Sequence, residues 1–473
     1  MASCGSAPPG YTTARTADST CPATTRPPAP RSPCCCRQRP TRGVNVPSVP
    51  TGLADPIGED AIRTPPDWSA WRVVVSFGVV SLAADMVYEG ARSITGPLLG
   101  ALGASAMVVG LVAGAGEAMS LLLRLAFGPL ADRTGRYWSL TLAGYTLTAI
   151  CVPLLAVAPF LGGAGLALAC GLILTERAGK AVRSPAKTAL LAQAAGAVGR
   201  GRGFAVHKAL DQVGAFAGPL LVAGLVAATG LIWPAMAALA VPGAMAVGLL
   251  LWTRLRVPDP AGYDTDPPAP ATVAGPRPGP VGSWLGTDLP RRFFLFAAAA
   301  GAATAGLVTF GIISFHANRT GLIPLASIPL LYAAAMAAAA VAALASGYLY
   351  DRWGGRVLLA VPLLSAAVPA LALSGTVGAV VAGTLLWGAA VGVQDSTVKA
   401  LVADLVPAAR RATAYGVFAA VQGVAALAGG GLVGALYTRS LPTLIAVLGA
   451  TQLLAMSMFA ATLTNRRTSS PHS

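Results

Sequence analysis

Charged residues are scarce in this sequence: Asp, Glu, Lys and Arg together make up 11% of its 473 residues. Soluble domains carry about 25% charged residues, so this composition excludes an ordinary soluble protein. Hydrophobic residues reach 55%, and the mean hydropathy is +0.66. Apolar runs recur at the length that a membrane-crossing helix needs, about 20 residues. The sequence therefore predicts a membrane protein with several transmembrane helices.

Residues that build metal and catalytic sites are few or unsuitably spaced. The three histidines are far apart in the chain (His207, His316 and His472). Five of the seven cysteines lie in the first 36 residues, and the run Cys34–Cys36 has no partner at zinc-site spacing. No G-x-S-x-G nucleophile elbow is present, and Leu174 stands where a phosphate loop ending at Gly179-Lys180 needs its first glycine. We therefore expect no enzyme activity, no metal and no cofactor.

Acidic residues number 18 against 33 Lys and Arg, which gives a formal net charge of +15. Such a charge can indicate nucleic acid binding, but here the basic residues cluster in alternate loops between the apolar runs, as the positive-inside rule predicts. The basic loops hold Arg133, Arg136, Arg183, Lys187, Arg200, Arg202, Arg254, Arg256, Arg277, Arg291, Arg292, Arg352, Arg356, Lys399, Arg410, Arg411, Arg466 and Arg467. The other loops hold only Arg319 and Arg439. We expect no nucleic acid partner, and we expect a plasma-membrane protein with both termini cytoplasmic.

The chain divides into two apolar halves with polar segments around them. Residues 1–66 are rich in Pro, Arg, Thr and Ser and show no apolar periodicity, so we expect a disordered tail and no signal peptide. An over-extended start of the reading frame is an alternative explanation of that tail. We expect a six-helix bundle over 67–252, a cytoplasmic linker over 253–292, a second six-helix bundle over 293–463 and a cytoplasmic tail over 464–473.

Twelve spans are expected in those two bundles. In the first half they are Trp71–Arg92, Ala104–Phe127, Tyr137–Ala158, Gly162–Val182, Phe204–Ala228 and Leu231–Trp252. In the second half they are Phe293–Phe315, Ile328–Leu349, Val357–Ala372, Val377–Lys399, Ala414–Tyr437 and Leu441–Leu463.

A short, charged, glycine-punctuated motif occurs twice, each time between two apolar runs. It reads G-P-L-A-D-R-T-G-R at 128–136 and G-Y-L-Y-D-R-W-G-G-R at 347–356. Glycine lets helix ends approach closely, and Asp and Arg can bridge the backbone ends of neighbouring helices. Both copies resemble the loop between the second and third helices of major facilitator superfamily transporters, whose pattern is G-x-L-a-D-r-x-G-r. The second copy departs from that pattern at Gly355, so that its last Arg comes one place later.

This resemblance implies a cytoplasmic latch between helices that stabilises the outward-facing state. The implied latch residues are Gly128, Asp132, Arg133, Gly135 and Arg136, with a weaker counterpart at Gly347, Asp351 and Arg352. Positive-inside topology would also explain the arginines, but it does not explain Asp132 and Asp351. The resemblance further implies two parallel, pseudo-symmetric halves, and the segment 189–192 aligns with 400–403 at an offset that also places Gly218 on Gly429. The expected fold is an all-α membrane protein with twelve transmembrane helices in two six-helix pseudo-symmetric bundles.

The fifth predicted span contains Gly214, Gly218 and Pro219. Proline bends a helix because it removes a backbone hydrogen bond, and small residues allow close helix approach in lipid. The run resembles the g-x-x-x-G-P-x-x-G-G motif of the drug/proton antiporter branch, with Ala223 and Gly224 in place of the final glycine pair. An ordinary kinked packing helix is the alternative.

Ionisable residues within the spans are concentrated in the first half. Burying a charge in the bilayer costs several kcal/mol unless it is paired or hydrated, which marks such residues as functional candidates. We expect the proton-coupling and substrate cavity to include Asp85, Glu89, Arg92, Glu117 and Arg177. Along one helix face, Glu89 and Arg92 are spaced for an ion pair, which leaves Asp85 without a cation on its own helix. Near the cytoplasmic ends, snorkelling to the membrane surface is expected for Arg124, Lys180, Lys208 and Asp211.

Asp85 and Glu117 are the candidate proton-coupling residues, because a carboxylate in a low-dielectric cavity is easier to protonate. Permanent pairing with Arg92, Arg124 or Arg177 would instead make either acid structural. The resemblance implies a secondary active transporter, expected to expel small organic compounds in exchange for protons. Proton-coupled uptake of a metabolite and a membrane sensor without flux are the alternatives. The expected partners are a small-molecule substrate, protons and the lipid bilayer, and we expect the protein to act as a monomer.

Overall fold

The computed structural model describes residues 68–263, 289–406 and 410–464, and within them the regular structure is entirely helical. The expected disordered tail at 1–66 lies outside the described residues, as do most of the expected linker and nearly all of the C-terminal tail. The helices of the first half are α1 (Ala70–Arg92), α2 (Thr95–Ala101), α3 (Ala106–Thr134), α4 (Tyr137–Leu154), α5 (Gly165–Ala194), α6 (Arg200–Thr229), α7 (Ile232–Ala238) and α8 (Ala240–Arg256). Those of the second half are α9 (Arg291–Ala305), α10 (Phe310–Arg319), α11 (Ser327–Trp353), α12 (Ala360–Ala372), α13 (Val377–Leu405), α14 (Arg411–Arg439) and α15 (Leu441–Thr464).

Ten helical segments of the described chain are long and apolar enough to cross a membrane. Two of them, of 58 and 46 residues, are too long for one crossing, since about 20 residues suffice. Each is divided by a 3₁₀ segment, at Leu155–Ala164 and at Gly354–Leu359, where a glycine with positive φ turns the chain. The ten segments therefore contain twelve crossings, and the predicted fold class is confirmed.

The two halves repeat one packing scheme. In the first half α1 packs on α6 and α8, and α5 packs on α3 and α4. The second half has the same pairs, with α9 on α14 and α15, and α13 on α11 and α12. The predicted equivalence of Gly218 and Gly429 reflects this repeat: Gly218 lies against the backbone of α1 at Met86, and Gly429 lies against the backbone of α9 at Ala305.

The halves meet most closely on the membrane side away from the charged motifs. We call the side that carries Arg133 and Arg352 the basic face and the opposite side the far face. At the far face α2 packs on α10, where Gly96 lies directly on the backbone of Gly311. The adjacent seam of α3 and α14 is equally tight, with Gly110 against Gly430. A side chain at these glycines would overlap the opposing backbone, so the small residues permit this closure.

The described chain has three apolar cores, one shared by the two halves and one within each half. One core joins the halves and contains Ile94 and Leu98 from the first half with Phe310 and Ile313 from the second. The other two cores each draw on a single half, one around Phe77 and the other around Phe296. The structure is therefore sealed by shared apolar packing at the far face.

Several helices extend further than expected, and in two of them the extension changes the place of charged residues. Helix α3 runs to Thr134 rather than ending near Phe127, so most of the first charged motif is the end of a helix and not a loop. Gly135 ends it with φ of 61°, a left-handed conformation that glycine adopts without strain. Helix α5 runs to Ala194, well beyond the expected end at Val182. Arg183 and Lys187, expected in a loop, therefore lie on a helix that faces the other half.

Candidate functional site

A cavity of about 790 Å³ lies between the two halves, and we call it the central cavity. Its two walls differ in chemistry. The wall from the first half carries nearly all the charge: the acids Asp85, Glu89, Glu117 and Asp211 and the bases Arg92, Arg124, Lys180, Arg183, Lys187 and Lys208. The wall from the second half is mostly apolar and includes Met336, Leu344, Trp387 and Val391, with Tyr332 and Asp395 as its ionisable members. Such a cavity suits a molecule with both a charged and an apolar part.

Four of the five predicted cavity residues line the central cavity, and the fifth, Arg177, packs behind it. Glu117 on α3 binds Arg92 at 3.0 Å and Arg177 at 3.7 Å. Tyr88 holds the same two arginines, since its hydroxyl accepts hydrogen bonds from both. Arg177 also lies 3.8 Å from Glu176, whose side chain is 5% exposed. Glu117 is thus held by two cations, and such permanent pairing indicates a structural role for it.

The expected pairing of Glu89 with Arg92 on one helix is wrong. Arg92 turns to Glu117 on α3, whereas Glu89 accepts a hydrogen bond of 2.5 Å from the Tyr332 hydroxyl on α11. Neighbours on the same helix gain only a few tenths of a kcal/mol from pairing. Arg92 and Glu89 therefore bind partners on other helices instead of each other. The partner of Glu89 is on the second half, so this contact links the two halves.

Asp85 lies next to a second acid. Asp85 on α1 and Asp211 on α6 both line the central cavity, close enough for their carboxyl groups to interact. Asp211 also binds Lys208 at 2.5 Å and accepts a hydrogen bond of 3.0 Å from Ser81, whose hydroxyl in turn accepts one of 3.1 Å from Lys187. Two carboxyl groups can hydrogen-bond to each other only when one of them carries a proton. The pair can therefore hold a single shared proton inside the cavity.

The expectation that Arg124, Lys180, Lys208 and Asp211 only snorkel to the membrane surface is wrong, because all four line the central cavity. Lys180 lies over the Tyr88 ring, 3.6 Å from its centre, and Lys208 binds Asp211. Arg183 and Lys187 were missed for a different reason, the unforeseen length of α5. Their i, i+4 spacing, together with Lys180 one turn earlier, is the signal in the sequence that could have placed them on one helix face.

The motif of the fifth span lies on α6 and packs against α1. A side chain at Gly214 would overlap the backbone of Leu82, and one at Gly218 would overlap that of Met86. Pro219 lies inside α6 directly after this contact. The motif therefore supports the segment of α1 that carries Asp85 and Glu89. Gly224, in contrast, has open space around it.

The charged motifs lie at the basic face, away from the central cavity. Asp132, Arg133, Gly135 and Arg136 are exposed, as are Asp351 and Arg352. Asp132 accepts a hydrogen bond of 3.2 Å from the Tyr137 hydroxyl and, within the described residues, forms no ion pair. Gly128 has open space around it, and Gly347 approaches only Ser396 of α13. The contacts of Asp132 with Tyr137 and of Gly347 with Ser396 each lie within one half.

A second groove, of about 830 Å³, lies on the outer surface of the first half beside α1 and α8. Trp68, Trp71 and Trp252 line it together with Arg72 and Arg256. It borders a single half, so it offers no route between the two sides of the membrane.

Comparison of the sequence with known proteins agrees with the fold described above. The model of the Major Facilitator Superfamily matches residues 77–430 and, in a second match, residues 322–473. The uncharacterized proteins Mb2288 of Mycobacterium bovis and Rv2265 of Mycobacterium tuberculosis are each 52% identical over 396 residues, covering 84% of this chain and 94% of theirs.

Solved structures share the fold at low sequence identity. A mutant of the nucleoside transporter NupG has a TM-score of 0.65 at 14% identity, covering 82% of this chain and 99% of its own. A bacterial homolog of the human lysosomal transporter Spinster, inward-facing and unoccupied, has 0.61 at 15% identity, covering 84% and 95%. A POT family transporter in complex with 5-aminolevulinic acid has 0.63 at 13% identity, covering 83% and 96%.

Proposed function

Since the chain belongs to the Major Facilitator Superfamily and is a membrane transporter rather than an enzyme, we propose that it moves a small organic compound across the membrane in exchange for protons. The observation that carries the proposal is the central cavity, with its charged first-half wall and its apolar second-half wall. Tight far-face packing beside such a cavity is one of the two states that alternating access requires. We also propose that the protein acts as a monomer, because its two halves together supply both walls of the cavity.

We place proton coupling at Asp85, paired with Asp211. A coupling acid must bind and release a proton between transport states. Two neighbouring arginines stabilise the charged form of an acid, so such an acid does not readily take up a proton. Glu117 is held in that way, and Glu89 accepts a hydrogen bond from Tyr332. Asp85 has another carboxyl group as its neighbour, so the pair gains from taking up one proton.

Efflux, the direction that we propose, is supported by the helix-five motif. Gly214 and Gly218 make the close contact with α1 that such a motif requires. We also propose that the basic face is cytoplasmic and that the membrane is the plasma membrane. Export would then begin from the conformation seen here, in which the far face is sealed.

Uptake by proton symport is the second candidate, and the charge of the cavity favours it. Six basic side chains line the cavity against five acidic ones. An anionic substrate would bind more tightly when a proton is already present, a linkage that moves substrate and proton in the same direction.

A transport screen in inverted membrane vesicles tests the proposal. Vesicles with the protein should accumulate at least one organic compound when the proton gradient is imposed and lose that ability when the gradient is collapsed. Vesicles with the Gly218→Leu variant, inserted at the same level, provide the control. Accumulation that is insensitive to the gradient would overturn proton coupling, and accumulation only under the opposite gradient would favour symport.

A further inference from the structure

We propose that the substrate is an organic anion: an acidic group bound by the basic side chains of the first half, attached to an apolar body that lies on the second half. This inference rests on the proposed transport through the same cavity, whose substrate class it names, and an anionic substrate favours the symport candidate over exchange. It starts from the charges of the cavity wall and from which of them already have partners.

The acidic side chains of the first-half wall are already engaged. Glu117 binds Arg92 and Arg177, and Asp211 binds Lys208. Glu89 accepts a hydrogen bond from Tyr332, and Asp85 lies beside the Asp211 carboxyl group. A cationic substrate would have to break one of these contacts in order to gain a counter-ion.

Four basic side chains of the cavity have no acidic partner in the described part of the chain. Lys180 lies on the Tyr88 ring, Arg183 donates to Thr148 and lies over the Tyr145 ring, and Lys187 donates to Ser81. The fourth is Arg124, whose Nε is buried and has no hydrogen-bond partner. Each of these cations lines the cavity, and none of them forms an ion pair with an acid among the described residues.

Arg124 and Ser120 mark the point at which an acidic group would bind. They are one helical turn apart on α3, and the Ser120 hydroxyl is also buried without a hydrogen-bond partner. A buried donor without a partner is destabilising, because it has lost its hydrogen bonds to water and gained none in exchange. Two such donors one turn apart beside the cavity would both be satisfied by an acceptor that binds there. A carboxylate or sulfonate supplies acceptor oxygens for both.

Repulsion among the cations makes a weaker contribution. Arg183 repels Arg124 and Arg177 repels Lys180, but Glu117 attracts Arg124 and Glu89 attracts Lys180 more strongly than those cations repel them. A bound anion relieves that repulsion, whereas a cation increases it. A neutral molecule leaves it unchanged.

The wall from the second half would bind the apolar body of the substrate. Met336, Leu344, Trp387 and Val391 offer an apolar surface, interrupted by small side chains such as Ala339 and Ala343. A flexible thioether beside an aromatic ring accommodates varied apolar shapes. The wall therefore suits a hydrocarbon or aromatic body.

Calorimetry on the purified, full-length protein in lipid nanodiscs tests the proposal with three probes of one shape: 2-naphthoate, 2-naphthylmethylammonium and 2-naphthylmethanol. The anion should bind at least about tenfold more tightly than the other two. Its affinity should fall about tenfold or more in Arg124→Gln and partly recover in Arg124→Lys. Arg254→Gln removes an exposed charge outside the cavity and should leave the affinity unchanged.

The near-isosteric variant Ser120→Ala provides a second measurement if Arg124→Gln fails to fold, and it should weaken naphthoate binding several-fold. Binding of the ammonium probe as tightly as naphthoate would overturn the proposal. So would a naphthoate affinity that is undiminished in both single variants, Ser120→Ala and Lys180→Gln. Calorimetry uses no proton gradient, so it tests the substrate class separately from proton-driven transport. If calorimetry shows anion binding but the vesicle screen shows no proton-driven flux, only the proposed function is contradicted. If the vesicle screen shows proton-driven flux of a cation, only the anionic substrate is contradicted.

Discussion

The Tyr332 hydroxyl donates a hydrogen bond of 2.5 Å to the Glu89 carboxylate, and this contact joins the two halves of the transporter across its cavity. Glu89 lies on α1 beside the charged cluster, whereas Tyr332 lies on α11 among the aromatic rings of Phe310 and Trp387. A rocking motion that opens the far face must separate or rearrange these two side chains. The contact is therefore expected to favour the conformation seen here.

Tyr332→Phe tests that role. A hydrogen bond to a charged group contributes about 1.5–3 kcal/mol, so its loss should shift the equilibrium about tenfold or more toward the state with an open far face. Distances between spin labels at the far-face ends of α2 and α10 would report the shift. Tyr437→Phe is the matched control, because its hydroxyl lies 2.7 Å from His316 within the second half. An unchanged distance distribution in Tyr332→Phe would show that the contact has no part in closure.

Asp132→Asn tests the latch. In the conformation seen here Tyr137 is the hydrogen-bond partner of Asp132 within the described residues, so the latch is expected to form when the basic face closes. An amide lacks the charge that pairs with Arg and helix ends, and cysteines at the basic ends of α3 and α14 should crosslink several-fold more slowly in the variant. Asp351→Asn should have a smaller effect. Asp259→Asn, which removes an exposed carboxylate that accepts only a local hydrogen bond from Ala261, is the control. Equal crosslinking and equal transport in all three variants would leave the latch without support.

Gly218→Leu tests the contact between α6 and α1. The new side chain would overlap the backbone of Met86, which cannot move without displacing α1 and Asp85 with it. Transport should fall by more than about tenfold while the protein still inserts in the membrane. Gly224→Leu makes the same change further along α6, where the structure leaves open space, and should transport normally. If both variants transport alike, the motif has no special place in the mechanism.

Glu117→Gln separates a structural acid from a coupling acid. The amide would leave Arg92 and Arg177 without their shared counter-ion, and breaking a buried pair in this way costs about 3–5 kcal/mol. Because Arg92 and Glu117 remain about one third exposed, the loss should be smaller, of the order of 1 kcal/mol. We expect a lower thermal unfolding temperature and an equal loss of gradient-driven transport and of downhill exchange. Loss of gradient-driven transport alone, at unchanged stability, would assign the coupling role to Glu117 instead.

The fold could be predicted from the sequence because its signals are local. Apolar length marks each span, and the two charged motifs mark the duplication. Helix ends were harder to place where charge continues along a helix, as at Arg183 and Lys187 on α5. A hydropathy pattern assigns such charged residues to a loop. In the structure they remain on the helix, because one face of that helix lines the central cavity.

The site could be predicted only in part, since its partners come from distant segments. Asp85, Glu89, Arg92 and Glu117 were identified as cavity residues because charge in a span is costly. Which acid binds which base depends on how α1, α3 and α11 pack, and the sequence carries no such information. The neighbour of Asp85 on α6, Asp211, was for that reason assigned to the membrane surface.

Asp85→Asn in reconstituted vesicles tests the central claim most directly. The asparagine keeps the shape of the side chain but cannot bind and release the proton that the pair with Asp211 shares. Gradient-driven accumulation of a substrate found in the vesicle screen should be abolished, while exchange of that substrate down its own gradient stays within about twofold of the unmodified protein. Full proton-driven accumulation by Asp85→Asn would contradict the account and place the coupling site elsewhere.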